Sequence, residues 1–284
     1  MLATQQQVDP APFDAVAARY DDTFTYSRIG QAQRASVWRE LAKTFRPGQR
    51  VLEIGCGTGI DACFLAKRGV RVVACDSSSQ MIAAATRRIQ ENGLQNLVRP
   101  VWLRAEDMAA LHTSELFDGA FSNFGVLNCV EDLRRVSLDL ARLLKPRATA
   151  LLCWMGASCA WEIAWYLAHG NGRKAFRRLS RDGVTARIAD GVSVRVHYPT
   201  VSALARAFAP NFCLKSIKGI GVAVPPSYLE PWAQRHPRLL QLCERADLFA
   251  GRCPGIRVLA DHVLVRLQRE DASAEVAEPG VNED

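Results

Sequence analysis

Short apolar runs alternate with amphipathic helical patterns through the first half of the chain. Apolar runs bounded by turn residues are typical of buried strands, whereas apolar positions recurring every three or four residues are typical of helices. The apolar runs predict strands at residues 50–54, 70–75, 98–103, 119–122 and 148–155. The helical patterns between them lie at residues 60–68, 79–91 and 131–144. This alternation predicts an α/β fold with a parallel sheet covered by helices on both faces.

Beyond residue 155 two long segments interrupt the alternation. Two further strands, at 212–220 and 262–268, complete a doubly wound, Rossmann-like sheet of seven strands. Loops at the carboxyl ends of such strands commonly bind ligands, so we expect the long segments to be helical caps that set specificity. The predicted parts are an N-terminal helical cap at 1–47, a ligand-binding core at 48–155, a cap insertion at 156–199, the rest of the sheet at 200–268 with a second insertion at 224–257, and a disordered acidic tail at 269–284.

Composition is typical of a globular protein. The chain has 284 residues, of which 49% are hydrophobic and 23% charged, enough for one sizeable core. No apolar run has the length of a membrane span and the first residues do not resemble a signal peptide, so we expect a cytoplasmic protein. Nine cysteines without C-x-x-C spacing indicate free thiols rather than disulfides or a metal site.

The net charge of +7 first suggests a nucleic-acid partner. The basic residues are densest at 173–181, whereas the acidic ones gather in the predicted tail, which has almost no large apolar residue. No attached RNA-binding module is recognisable, so no nucleic-acid partner is expected. An RNA substrate stays a weaker alternative, and the sequence does not indicate the oligomeric state.

A glycine-rich turn follows the first strand in the stretch RVLEIGCGTGIDACFLAKRG. Such a turn lets a ligand approach the backbone, and the amides of the following helix offer donors to negative groups. A dinucleotide fingerprint would read G-x-G-x-x-G. Here the third glycine arrives one residue early and Ile60 takes the sixth position, which argues against a nicotinamide cofactor.

The stretch from Glu53 to Gly59, E-I-G-C-G-T-G, resembles the first motif of class I S-adenosylmethionine-dependent methyltransferases. Four more stretches follow in that family's order: V-V-A-C-D at 72–76, A-E-D-M at 105–108, F-D-G-A-F-S-N at 117–123 and L-L-K-P at 143–146. The N-terminal F-D-A-V-A-A-R-Y-D at 13–21 resembles small-molecule members, including the quinone-biosynthesis type. The resemblance implies a methyltransferase with S-adenosylmethionine as its cofactor.

The resemblance also implies roles for individual residues. The loop would surround the methionine part of the cofactor, Asp76 would accept both ribose hydroxyls, and Asp107 would accept the adenine amino group. Tyr20 would contact the methionine end, Arg34 its carboxylate, and Asn123 would lie beside the methyl group. The implied cofactor contacts are Tyr20, Arg34, Glu53, Gly55, Cys56, Gly57, Gly59, Asp76, Ser77, Met81, Glu106, Asp107, Met108 and Asn123.

Each of these residues also has a purely structural explanation. The glycines can serve a tight turn, and Cys56 can simply be small enough for the loop. Asp76 and Asp107 can cap helices, and Asn123 can form hydrogen bonds with backbone groups of its loop.

Methyl transfer asks little of the protein, because a sulfonium methyl is already electrophilic and alignment of the nucleophile supplies much of the rate. An oxygen nucleophile needs a general base as well. Candidates in the first insertion are His169, His197 and Glu162, and His236 lies in the second insertion. The catalytic residue is therefore left open.

Motifs that are missing from the sequence narrow the class of methyl acceptor. The fourth motif continues as S-N-F-G at 122–125, whereas nucleic-acid amino methyltransferases usually carry N/D-P-P-Y/F there. No paired-glutamate loop of the protein arginine type is found. An O, N or C nucleophile of a small organic or lipid-like acceptor remains, and a cofactor-binding protein without methyl transfer is the alternative.

The first insertion contains W-E-I-A-W-Y-L-A-H-G-N-G-R-K-A-F-R-R-L-S-R at 161–181. Aromatic residues beside a basic cluster are typical of a membrane interface. The alternative is a lid helix with a solvated basic face. Peripheral membrane contact through 161–181 is therefore a hypothesis.

Overall fold

The computed structural model describes residues 11–271. Its helices are α1 Ala17–Tyr20, α2 Arg28–Thr44, α3 Ile60–Ala66, α4 Ser79–Glu91, α5 Leu133–Leu143, α6 Ala160–Ala168, α7 Gly172–Ala175, α8 Val201–Phe208, α9 Glu230–Arg235 and α10 Pro237–Ala250. Its strands are β1 Arg50–Ile54, β2 Arg71–Asp76, β3 Val98–Trp102, β4 Phe117–Ser122, β5 Leu144–Met155, β6 Val184–Ala189, β7 Val192–Val196, β8 Phe212–Ile220 and β9 His262–Arg269.

Seven strands form one sheet in the order β3-β2-β1-β4-β5-β9-β8. The first five in this order are parallel, and β9 pairs antiparallel with both β5 and β8. The chain order reverses between β1 and β4, and in sheets of this kind ligands bind at that switch point, beyond the carboxyl ends of the strands. The predicted doubly wound, seven-stranded α/β sheet is confirmed.

The sheet is buried on both faces, which explains why its central strands read as continuous apolar runs. Neighbouring residues of a strand point to opposite faces. Accordingly Val51 joins the apolar layer formed with α2, α3 and α4, whereas Leu52 joins the layer formed with α5 and α8. Both side chains are fully buried.

The two insertions pack together with the N-terminal helix α2. An apolar cluster joins Ile29 of α2, Leu240 of α10 and the half-buried Trp161 of α6. The carboxylate of Glu230 accepts hydrogen bonds from the backbone N–H groups of Arg28 and Ile29 at 2.9 and 3.0 Å, where a negative charge favours the helix N-terminus. The caps are therefore anchored to the core through α2.

The first insertion contains the predicted helices and, in addition, a β-hairpin that was not predicted. Strands β6 and β7 form a separate antiparallel hairpin in which Ala189 pairs with Val192. The two residues between them, Asp190 and Gly191, form the turn, and Gly191 has φ +73°. Asp-Gly between alternating segments is a strong hairpin signal, so the sequence contained the evidence.

The end of α5 also differs from the prediction. The helix stops at Leu143 and the strand β5 begins at Leu144. A residue that precedes proline disfavours the helical conformation, so Lys145 before Pro146 turns the chain to the extended form.

The predicted disordered tail starts at 269, but Arg269 still belongs to β9 and the Glu270 N–H donates to the carbonyl oxygen of Asn211 at 2.8 Å. The rest of that tail, from 272 onward, lies outside the described residues.

All nine cysteines are in the described part and are free thiols, as expected. Among residues 11–271 no helix has the length and apolar character needed to cross a membrane. The same residues contain no His, Cys, Asp or Glu group arranged to hold a metal ion.

Candidate functional site

The glycine loop between β1 and α3 has two different functions. Gly55 has φ +72°, and a Cβ there would lie 2.3 Å from the side chain of Val126, so packing excludes any larger residue. Gly57 has φ +52°, but the nearest atom to its Cβ position is Cε1 of Tyr20 at 3.9 Å. The backbone at Gly57 therefore faces open space and forms a cradle for a ligand.

Asp76 at the end of β2 holds this loop in place. One carboxylate oxygen accepts the backbone N–H of Gly57 at 2.8 Å, and the other accepts that of Ser78 at 2.9 Å. Burial raises the pKa of Asp76, while these backbone hydrogen bonds act in the opposite direction. Each carboxylate oxygen retains a second lone pair for hydroxyl donors.

A cavity of about 780 Å³ opens at the carboxyl ends of the strands. This volume lies toward the upper end of the range of about 300–1,000 Å³ for small-molecule sites. The predicted residues that line it are Tyr20, Arg34, Gly55, Cys56, Gly57, Asp76, Ser77, Met81, Glu106, Asp107 and Asn123. The predicted residues Glu53, Gly59 and Met108 do not line it: Gly59 packs on Ala85 of α4, and Glu53 and Met108 are buried in the core.

A buried polar cluster lies beside the loop. The guanidinium of Arg34 donates to both oxygens of Asp61 at 2.6 Å, and the Asn123 amide donates to the same carboxylate at 2.8 Å. Arg34 is thus held by Asp61, and its predicted contact with the methionine carboxylate stays a prediction. Burial and the nearby Asp61 and Asp76 raise the pKa of Tyr20 to about 12, against the opposing effect of Arg34. Its hydroxyl is therefore neutral at physiological pH.

The sequence analysis did not predict three aromatic residues that line the cavity, Phe13, Trp102 and Phe124. Trp102 is 54% exposed, and its indole N–H donates to the carbonyl oxygen of Ser77 at 2.8 Å. Phe124 has φ +54°, unusual for a bulky residue, and the Arg34 guanidinium lies 4.6 Å from its ring centroid. Phe13 and Phe124 lie in stretches compared with family motifs, at 13–21 and 122–125, but those motifs assigned them no role, and Trp102 lies in no such stretch.

The hairpin β6–β7 forms an apolar wall of the cavity. Its lining residues are Ala186, Ile188, Val194 and Val196, which alternate along the two strands. Arg187 and Arg195 between them are exposed. The inward face of the hairpin thus carries no charge, whereas its outward face is polar.

The comparisons with known proteins agree with this geometry. Residues 51–147 match the methyltransferase domain family. The chain is 31% identical over 145 residues to a demethylmenaquinone methyltransferase of Clavibacter sepedonicus, covering 50% of this chain and 56% of that protein. It is 26% identical over 198 residues to a 2-phytyl-1,4-naphtoquinone methyltransferase of Trichormus variabilis, covering 68% and 80%. The chain therefore spans little more than half the length of the first of these relatives.

A solved structure, the CcbJ methyltransferase from Streptomyces caelestis, has the same fold with a TM-score of 0.59 at 16% identity, covering 92% of this chain and 99% of that one. Residues 51–147 carry the methyltransferase domain, and the solved structure shows the same fold. Both relatives named above are quinone methyltransferases.

The residues at the loop fit the S-adenosylmethionine of this family. The open cradle at Gly57 leaves room that a Cβ would fill. The buried carboxylate of Asp76 retains acceptor capacity for hydroxyls. Glu106 and Asp107 line the cavity after β3, and the Arg104 side chain lies 3.9 Å from the Asp107 carboxylate.

The fold does not bring the candidate bases to the cavity. The Glu162 carboxylate accepts hydrogen bonds from Arg177 at 2.6 Å and from Arg178 at 3.0 Å, and it is 1% exposed. His169 is exposed, with Nδ1 2.8 Å from the carbonyl of Trp165. Neither these residues nor His197 and His236 line the cavity.

Glu162 has a structural role instead. Arg178 also donates to Asp261 at 2.7 Å. This buried network joins α6 and the turn at 177–179 to the start of β9. The sequence analysis gave Glu162 as a candidate base, and its two arginine partners were not visible from sequence spacing.

Proposed function

We propose that this chain transfers a methyl group from S-adenosylmethionine to a small, apolar aromatic acceptor of the quinone or quinol type. The observation that carries the proposal is the apolar β6–β7 wall in the same cavity as the cofactor cradle at Gly57. A charged or strongly polar acceptor would lose hydration against this wall without compensation. The quinone methyltransferases among its relatives support the same acceptor class.

Each part of the cavity has a role in this proposal. S-adenosylmethionine supplies an electrophilic methyl group when it is bound. Gly57, Asp76 and the neutral Tyr20 hydroxyl bind and orient it, and the hairpin excludes water from the acceptor side. Alignment of donor and acceptor then supplies much of the rate.

The lack of a predicted base in the cavity bears on the nucleophile. A reduced, electron-rich quinol ring is a better carbon nucleophile than the oxidised quinone. We therefore expect transfer to the quinol form, with the ring carbon as the favoured atom. Transfer to a hydroxyl oxygen of the quinol is tested alongside it.

Transfer of a labelled methyl group tests the proposal. Purified protein is incubated with methyl-labelled S-adenosylmethionine and naphthoquinones, each supplied in reduced and oxidised form. The proposal predicts labelled product from the reduced compounds. Tight cofactor binding with no transfer to any acceptor would instead support the cofactor-binding protein without methyl transfer.

Membrane contact through 161–181 stays a prediction. The structure divides its basic cluster: Arg178 is buried and Arg177 half-buried, both on Glu162. Arg173, Lys174 and Arg181 are exposed. Vesicle binding lost on replacing these three residues by glutamine would support the hypothesis.

A further inference from the structure

Helix α10 exposes an apolar stripe on the side that faces away from the core. Leu239, Leu242 and Phe249 are 47%, 57% and 74% exposed, whereas Leu240 is buried. At about 100° per residue, these three positions and Ala246 between them fall within about 80° of one another. The stripe is therefore continuous along the helix.

Arginines border this stripe on one side. Arg238 and Arg245 are seven residues apart and so repeat along the same line of the helix. Both are exposed, and no carboxylate among residues 11–271 lies within 4.0 Å of either guanidinium. Arg252, just past the helix end, continues the row and lies 4.0 Å from Glu40.

The helix is fixed to the sheet, so the orientation of the stripe is determined. Asp247, on the buried side of α10, accepts the backbone N–H of Gly221 at 2.8 Å. Gly221 follows the end of β8 at Ile220, which pairs with His262, and His262 pairs with Met155. Met155 lines the cavity, so the stripe belongs to the cap at the cavity edge of the sheet.

The positive charge beside the α10 stripe decides between two possible partners, a second copy of the chain and a lipid bilayer. In a symmetric dimer the face would meet itself, and arginines would oppose arginines, because Glu244 is half-buried and Asp247 is buried on the other side. An anionic bilayer complements both features: apolar side chains enter the acyl boundary, and arginines contact the phosphates.

We propose that α10 docks this protein on an anionic phospholipid surface. Leu239, Leu242 and Phe249 insert at the interface, and Arg238 and Arg245 contact the headgroup phosphates. This docking does not require any particular acceptor. It brings the cavity edge of the sheet near the lipid phase, in which apolar compounds dissolve.

Vesicle flotation of the full chain tests the proposal. Wild type is expected to float with vesicles of phosphatidylcholine and phosphatidylglycerol, and less with phosphatidylcholine alone. Arg238→Glu with Arg245→Glu should lower partitioning roughly thirtyfold, because each arginine near an anionic surface contributes about a factor of five. Leu242→Ser with Phe249→Ser should lower it about tenfold or more.

A double variant on the opposite face of the sheet serves as the control. Leu138→Ser with Arg206→Glu makes the same kinds of change at exposed positions of α5 and α8 and should leave flotation unchanged. Thermal unfolding followed by circular dichroism confirms that each variant is folded, independently of cofactor binding.

Two results would overturn the proposal. The first is a wild type that stays unbound with anionic vesicles, or α10 variants that bind as tightly as the control pair. The second is a wild-type dimer in sedimentation velocity that becomes monomeric on Leu242→Ser with Phe249→Ser. That result would show that a second copy covers the stripe.

Discussion

Asn128 connects the apolar hairpin to the strand that ends at the cavity. Its side-chain amide donates to the carbonyl oxygens of Met155, at 3.0 Å, and His197, and its side-chain oxygen accepts the Met155 N–H at 2.9 Å. The residue is completely buried. The variant Asn128→Ala removes all three hydrogen bonds at once.

The expected loss follows from this count. A buried hydrogen bond contributes about 0.5–1.5 kcal/mol, so Asn128→Ala should lower the free energy of unfolding by about 2–4 kcal/mol. The hairpin should also lose its fixed position over the cavity. Under the proposed function, the KM for the acceptor should then rise by about fivefold or more, equivalent to about 1 kcal/mol. The dissociation constant for S-adenosylhomocysteine should change by less than about twofold.

Urea unfolding, steady-state kinetics and calorimetry measure these quantities. Asn211→Ala is the matched control, because Asn211 donates a single side-chain hydrogen bond, to Ser137 at 3.2 Å, away from the cavity. Equal stability losses in the two variants would refute the role of Asn128 as an anchor. So would a loss of S-adenosylhomocysteine affinity as large as the rise in acceptor KM.

Further predictions concern the loop, the wall and the buried charges. Gly57→Ala should weaken S-adenosylhomocysteine binding at least about tenfold in calorimetry, because the added Cβ enters the cradle. The control is Gly48→Ala, at φ +84° with open space around it, which should change only the free energy of unfolding. Ile188→Asp should raise the acceptor KM without changing cofactor affinity, and an unchanged acceptor KM would argue against the apolar wall. Glu162→Gln should lower the free energy of unfolding by about 3–5 kcal/mol, because it leaves the charges of the arginine partners uncompensated. If the variant instead loses one limb of the pH–rate profile, Glu162 becomes a candidate general base again. Burial raises the pKa of Asp261, but its pairs with His262 and Arg178 lower that pKa overall. The stabilisation of the fold by the Asp261 carboxylate is therefore present above about pH 4 and is lost as the pH falls. In urea titrations, the free energy of unfolding of Asp261→Asn should fall less steeply with decreasing pH than that of the wild type, and an equal slope would contradict this.

Local patterns were sufficient to predict most of the sheet. The strand at 50–54, the helix at 79–91 and the strand at 212–220 have the predicted bounds, because each is bounded by a clear turn or cap. The glycine loop was recognisable from its local pattern, whereas the role of Asp76 came from the resemblance to the methyltransferase motifs and stays a prediction.

Long-range contacts were beyond sequence reasoning. The partners of Glu162 lie 15 and 16 residues away along the chain, on a separate turn, and the pairing of Arg34 with Asp61 spans 27 residues. Neither spacing corresponds to a helix or strand period. The hairpin wall is a different case, because Asp190-Gly191 and the flanking alternation predict it.

The central claim is that the loop at Gly57 and Asp76 binds S-adenosylmethionine. Isothermal titration calorimetry of the wild type with S-adenosylmethionine and S-adenosylhomocysteine, repeated with Asp76→Ala, tests it most directly. The account predicts binding of both ligands by the wild type, weakened at least about tenfold in the variant because the ribose acceptor and the loop anchor are removed together. A folded wild type that binds neither ligand, or an Asp76→Ala variant that binds them equally well, would contradict it.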